Sequence, residues 1–221
     1  MNKSGVSRCM FAVANSGFQN ILNKYIFLIF NILRNLRIAN YLLSLSMRKH
    51  NGMRPQDIVV LLKIITVKNN SWQNKDLAND LFISQSEISD SLNRSSMGGL
   101  IEHEKKKKVH RKSLMEFIEH GLHYVFPAQP GGMINGLYTA HSHPFMQQHF
   151  SSELNYVWPD PRGEVRGLSI EPLYKEQVKA ARQDEALYLM LALVDVVRVG
   201  KVREMEMAIR ELKRIVYESQ D

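Results

Sequence analysis

Residues 73–101, QNKDLANDLFISQSEISDSLNRSSMGGLI, carry two short helical patterns joined by a tight turn, and the second pattern has its own start signal. In the first, Leu77, Ala78 and Leu81 fall on one face, and Asn74 is suited to cap its N-terminus. The chain then turns through Phe82 and Ile83. Ser84-Gln85-Ser86-Glu87 forms a capping-box pattern, in which the Ser84 hydroxyl accepts the Glu87 amide and the Glu87 carboxylate reaches back to the Ser84 amide. Ile88 and Leu92, four apart, give the second helix its buried side. Gln85, Ser86, Ser89, Asp90, Asn93 and Arg94 are left on the other. That outer face is short, polar and rich in hydrogen-bonding groups, which suits a helix lying in a DNA major groove.

This stretch resembles the helix-turn-helix of bacterial winged-helix transcriptional regulators, loosely the MarR-like type. The residues that carry the resemblance are Asp76-Leu77-Ala78, the turn hydrophobe Ile83, Ser84-Gln85-Ser86-Glu87-Ile88-Ser89, Leu92 and Gly99-Leu100-Ile101, within residues 54–112. It implies a reader helix over residues 85–95, with Gln85, Ser86, Ser89, Asn93 and Arg94 touching bases and phosphates. It also implies a wing after Gly99. Residues 105–112 hold Lys105, Lys106, Lys107, Lys108, Arg111 and Lys112 without an acidic residue. At a wing, Lys105, Lys106, Lys107, Lys108 and Arg111 would contact the phosphate backbone. The run is short for a wing, closer to a basic turn than a full hairpin. Asp90 is out of keeping with the reader face, since a carboxylate repels phosphate unless it accepts from a cytosine amine. A helical hairpin with a good cap and no DNA role stays open beside this reading, as does a solvated lysine loop.

The chain has a formal charge of +7, but its location removes it as an argument. Residues 1–50 contain Lys3, Arg8, Lys24, Arg34, Arg37, Arg48 and Lys49 and no Asp or Glu. Taking these seven from the 29 basic residues leaves 22 basic against 22 acidic in the remainder. The basic leader has three readings. In the first, translation is assigned from too far upstream and the native start is Met47 or Met53. Alternatively, residues 25–45 form a helical extension, or the segment is a targeting sequence. Its apolar run is too short to span a bilayer. The one cysteine, Cys9, lies here. The rest of the chain therefore holds no disulfide framework, thiolate metal site or thiol nucleophile, which fits a reducing cytoplasm.

Elsewhere the pattern is mostly helical. Ile58, Leu61, Leu62 and Ile65 mark a helix over residues 55–67. Leu114, Phe117, Ile118, Leu122 and Val125 mark another over 113–126, where Gly121 predicts close approach of a second helix or a local packing need and Pro127 ends the run. Residues 127–172 carry six of the seven prolines and five glycines, and only 165–170 reads as a strand; the segment is either an ordered irregular arm held by Trp158, Tyr138 and Phe145 or a partner-binding segment. Helices return at 171–182, 184–199 and 201–218. In the last, Val202, Met205, Ile209, Leu212 and Val216 make a two-heptad seam, suited to a partner helix or to the chain's own domain. Five of the eight histidines lie between His120 and His149. Their spacing matches no metal motif, and no phosphate loop or nucleophile elbow is present.

The sequence thus predicts a mainly α protein with four segments. Residues 1–52 are a basic leader, 53–127 a winged helix-turn-helix domain, 128–170 an irregular Pro/Gly-rich arm and 171–221 a C-terminal helical region. The expected function is sequence-specific binding of double-stranded DNA for transcriptional control, as a cytoplasmic homodimer, with no enzymatic activity, cofactor, metal or membrane. The alternative is a winged-helix protein-interaction module, such as an adaptor or antitoxin-like partner, engaging a protein through its C-terminal region.

Overall fold

A computed structural model describes residue 24 and residues 52–67 and 71–218. The sequence readings on residues 1–51, including Cys9 and the helix at 25–45, lie outside the described residues, apart from an exposed helical Lys24. Residues 52–221 form one compact unit, mainly helical with a small three-stranded sheet. In order, the helices are α1 (Pro55–Thr66), α2 (Asn74–Leu81), α3 (Gln85–Met97), α4 (Arg111–His120) and α5 (Leu122–Val125). After β1 (Met133–Tyr138) come a 3-10 turn (Ala140–Ser142) and α6 (Pro144–Gln147). Then follow β2 (Tyr156–Pro159), β3 (Val165–Ser169), α7 (Gln177–Gln183), α8 (Glu185–Val199) and α9 (Val202–Glu218). No helix among the described residues is long and apolar enough to cross a membrane.

Two helices form the centre. In α1 the run from Ile58 to Leu62 is wholly buried, because α2 and α3 cover one side and α8 the other. In α8, Leu187 and every residue from Met190 to Arg198 are buried, so the one-sided stripe expected from Leu187, Leu191, Val194 and Val197 is in fact a helix surrounded on most sides. Its neighbours are α1, α4, α5, α7, α9 and the 3-10 turn. Asp184 caps α8, accepting the Leu187 amide at 2.9 Å, and also binds Lys63 of α1 at 2.8 Å. Burial opposes the charge on Asp184, but Lys63, the Leu187 amide and Thr66 outweigh it and hold the carboxyl below its usual range. Along α9, Ala208, Leu212 and Val216 are the buried positions, packed toward α8 and α4, whereas Val202 is 70% exposed. The heptad seam is therefore largely covered within the chain.

The Pro/Gly-rich segment is more ordered than its composition predicts. β1 pairs antiparallel with both β2 and β3, and these two pair in parallel, so three short strands close on themselves. Closure depends on Gly136, which faces Pro159 on one side and Val165 on the other; a Cβ there would overlap the Trp158 carbonyl. β3 matches the expected strand. β1 and β2 escaped notice because MINGLY and YVWP are short, interrupted by Gly and Pro, and lack clean alternation. Two helices also differ from expectation. The helix expected over 113–126 divides at Gly121, where the local packing alternative holds: a Cβ there would meet Phe117 of the preceding turn at 3.1 Å; Val125 is 52% exposed. The helix expected from Glu171 begins only at Gln177, because the Gln177 side chain accepts the Leu173 amide at 2.9 Å and holds residues 173–176 as turns.

The sheet is fixed to α8 through one carboxylate. Asp195 is fully buried and accepts from Trp158 Nε1 at 2.5 Å, Thr139 Oγ1 at 2.9 Å and Arg198 Nη1 at 2.7 Å. Arg198 in turn donates to the carbonyls of Phe126 and Glu171, both at 3.0 Å. Burial pushes the Asp195 carboxyl up, against the pull of Arg198, Trp158 and Thr139.

Two of the histidines are packed into the fold. His141 and His143 are buried, and no group of metal-ligating side chains occurs among the described residues. His143 Nδ1 accepts the Phe145 amide at 3.2 Å while its ring lies against Tyr188. Burial lowers its pKa from 6.5 to about 4. The unfolded chain therefore takes up a proton at a higher pH than the folded one. The contribution of neutral His143 is complete above pH 6.5 and is lost as pH falls toward about 4, amounting to about 3 kcal/mol. Urea unfolding across this range should show that loss, and His143→Asn, whose Oδ1 can still accept the Phe145 amide, should flatten it.

Candidate functional site

The two helices singled out in the sequence form where expected. The cap of α2 is Gln73, not Asn74: the Gln73 amide donates to Asp76 Oδ2 at 2.8 Å. Phe82 ends the helix in the left-handed region at φ 56°, and the Ile83 amide closes the turn on the Ala78 carbonyl at 3.1 Å. Ser84 then caps α3 by accepting the Glu87 amide at 3.1 Å, the half of the capping box that the structure contains. Ile88 and Leu92 are buried, together with Ser91 and Ser95, against α1 and α2.

At its other end α3 stops in a Schellman motif. The Gly99 amide donates to Ser96 and the Leu100 amide to Ser95, at 3.1 and 2.9 Å, with Gly99 at φ +70°. The chain leaves as a minimal hairpin. Ile101 and Val109 form one antiparallel bridge, flanked by Glu102 N–H to the Lys108 carbonyl at 2.9 Å and His110 N–H to the Leu100 carbonyl at 2.8 Å. Lys106, at the tip, is also left-handed at φ 52°.

Gln85, Ser86, Ser89 and Asn93 lie exposed on the outer face of α3. Arg94 does not, which corrects the expectation that it contacts DNA. It is 8% exposed and clamps Asp57 of α1, with Nε to Oδ2 at 2.8 Å and Nη2 to Oδ1 at 2.6 Å. Asp57 is fully buried and also accepts the Arg54 amide at the start of α1, at 2.8 Å. The hydrogen bonds to Asp57 outweigh the cost of burial and raise the Arg94 pKa still further. At roughly 100° per residue, Arg94 sits on the flank beside Ser91, where a long guanidinium stem can reach inward. A helical-wheel reading of α3 alone does not reveal the buried acid, which lies 37 residues earlier in sequence.

The hairpin cations divide in the same way. Lys105 and Lys108 are exposed. Lys106 Nζ donates to Asn93 Oδ1, which brings the hairpin tip onto the outer face of α3. Lys107 Nζ donates to the Trp72 carbonyl and stands 3.7 Å above the Trp72 ring centroid. Arg111 donates to the Val216 carbonyl near the end of α9, and burial lowers its pKa. Sequence reasoning missed the Lys106–Asn93 and Lys107–Trp72 contacts, since both depend on how the hairpin folds back. With this geometry in view, comparison with protein-family models, curated proteins and solved structures finds no match to the chain.

Two stability predictions follow from this geometry. Arg94→Ala leaves the buried Asp57 carboxylate without its partner and should lower the unfolding free energy by about 3–5 kcal/mol, as read by urea denaturation. Asp57→Ala should cost a similar amount. A loss below about 1 kcal/mol would show that the pair is not a fold determinant. At the end of α3, Gly99→Ala should cost about 1–2 kcal/mol from backbone strain alone, because nothing lies within 4 Å of its Cβ. Gly98→Ala, with φ −77° and no contact closer than 3.5 Å, should be nearly neutral in the same assay.

Proposed function

We propose that this chain is a winged helix-turn-helix DNA-binding protein that acts in transcriptional control. In this reading α3 is the reader helix and the 101–109 hairpin is the wing. The observation that carries it is the joining of two surfaces: the exposed polar face of Gln85, Ser86, Ser89 and Asn93, and a lysine-bearing hairpin whose tip touches that face through Lys106. A capped helix with short polar side chains fits a major groove, and lysines at its edge fit the flanking phosphates. Lys105 and Lys108 are the cations placed to reach phosphate directly. Lys107 can do so by exchanging the Trp72 carbonyl for a phosphate oxygen, while Lys106 holds the hairpin tip on Asn93. A homodimer would offer two α3 helices to half-sites about 34 Å apart, the usual way a short reader helix gains specificity.

A second reading, a protein-interaction module, has its own observation. Tyr124 and Val125 in α5 and Met133 at the start of β1 are 81%, 52% and 45% exposed. Exposed apolar patches of this kind mark partner surfaces.

Fluorescence anisotropy with duplex DNA from upstream of the chain's own gene, titrated with salt against scrambled competitor, separates the two. The DNA reading expects binding that survives competitor and weakens linearly on a log–log salt plot. Lys105→Gln with Lys108→Gln should weaken binding to all sequences alike and lower the salt slope by about 2. Absence of binding at low salt would leave the protein-interaction reading.

A further inference from the structure

The inward turn of Arg94 changes what α3 can recognise. Its sequence, QSEISDSLNRSSM, contains no lysine and one arginine, and that arginine is locked on Asp57. Guanine presents only acceptors, N7 and O6, in the major groove, and is read best by a bidentate arginine or lysine. Adenine presents an acceptor at N7 and a donor at N6, and is matched by a side-chain amide. The first residue of α3 is Gln85, exposed, at the end from which reader helices commonly touch base edges. Asn93, the other amide on this face, has its Oδ1 engaged by Lys106 and so offers only its NH2 group while the wing stays docked.

We propose that the specific DNA read by this chain is centred on an adenine contacted in the major groove by Gln85, with no bidentate arginine contact to guanine from α3. The proposal rests on the DNA-binding function above. It narrows what the sequence leaves open, since Gln85 or Asn93 could pair with adenine and an exposed Arg94 with guanine.

The test uses the full chain. A random duplex library is selected for binding, and the recovered site is then altered one pair at a time. An A·T pair should dominate each half-site, and G·C in its place should lower affinity by about tenfold or more. An I·C pair there should be as weak as G·C, since inosine resembles guanine in the major groove and adenine in the minor. Replacing the adenine with 7-deazaadenine, which lacks the N7 acceptor, should weaken binding to a similar degree. Gln85→Ala should remove the preference at that pair, with an unchanged unfolding midpoint showing that the fold is intact.

A selected site dominated by guanine would overturn the inference. So would an A·T preference that I·C satisfies, or one that Gln85→Ala leaves intact, because either would place the reading in the minor groove or in duplex shape. Failure to bind any duplex at low salt would remove the DNA-binding function itself, and that result differs from binding without adenine preference.

Discussion

A single fully buried carboxylate organises the C-terminal half of this molecule. Asp195 gathers an indole N–H from β2, a hydroxyl from the end of β1 and a guanidinium from its own helix. Arg198 extends the reach to the carbonyls after α5 and before α7. A charge in this position is tolerated only because its partners arrive in good geometry, and each partner comes from a different part of the chain. The closed three-stranded sheet has little apolar surface of its own, with β1 carrying one buried residue of six, and it is tied to the helices by this network. What composition presents as a loose arm is thus ordered from outside, through Trp158 and Thr139.

The N-terminal half follows the same rule with a different pair. Asp57 and Arg94 link the start of α1 to the last turn of α3, while Lys63 at the other end of α1 ties to Asp184, the cap of α8. α1 therefore carries an ionic tie at each end and an unbroken apolar centre between them. The helix that bears the proposed reading face and the helix that anchors the sheet are both located relative to α1. Replacing both members of such a pair with apolar residues of similar size is commonly far milder than removing one. The pairs define geometry more than they add stability.

Much of this was legible in the sequence. The bounds of α1, α2 and α3, the serine cap and the glycine exit follow from local chemistry, since apolar spacing, a hydroxyl at the N-cap and a left-handed glycine act within one turn. The lysine hairpin was legible as a short basic turn. The parts that could not be read locally are the long-range ones. Arg94 looks solvent-facing until Asp57 is placed beneath it. Residues 133–138 and 156–159 look irregular until each supplies the other's hydrogen bonds. The α9 seam is ambiguous between self and partner until α8 and α4 occupy it. The spacing of the histidine-rich stretch matches no metal motif, but only the packing shows the His143 ring against Tyr188.

The separation of Arg94 from its helix neighbours divides α3 into two populations of residues under different constraints. Ile88, Ser91, Leu92, Arg94 and Ser95 face the interior, and changes there disturb packing or leave a buried charge unmatched. Gln85, Ser86 and Ser89 make no contact on which the interior depends, and surface substitutions of that kind usually shift stability by less than about 0.5 kcal/mol. The outer face can therefore be rewritten one residue at a time without passing through an unfolded intermediate sequence. A scaffold of this design permits diversification: lineages carrying the same interior could present different chemistry at one surface, and drift there would be limited by what the surface recognises and not by whether the chain folds.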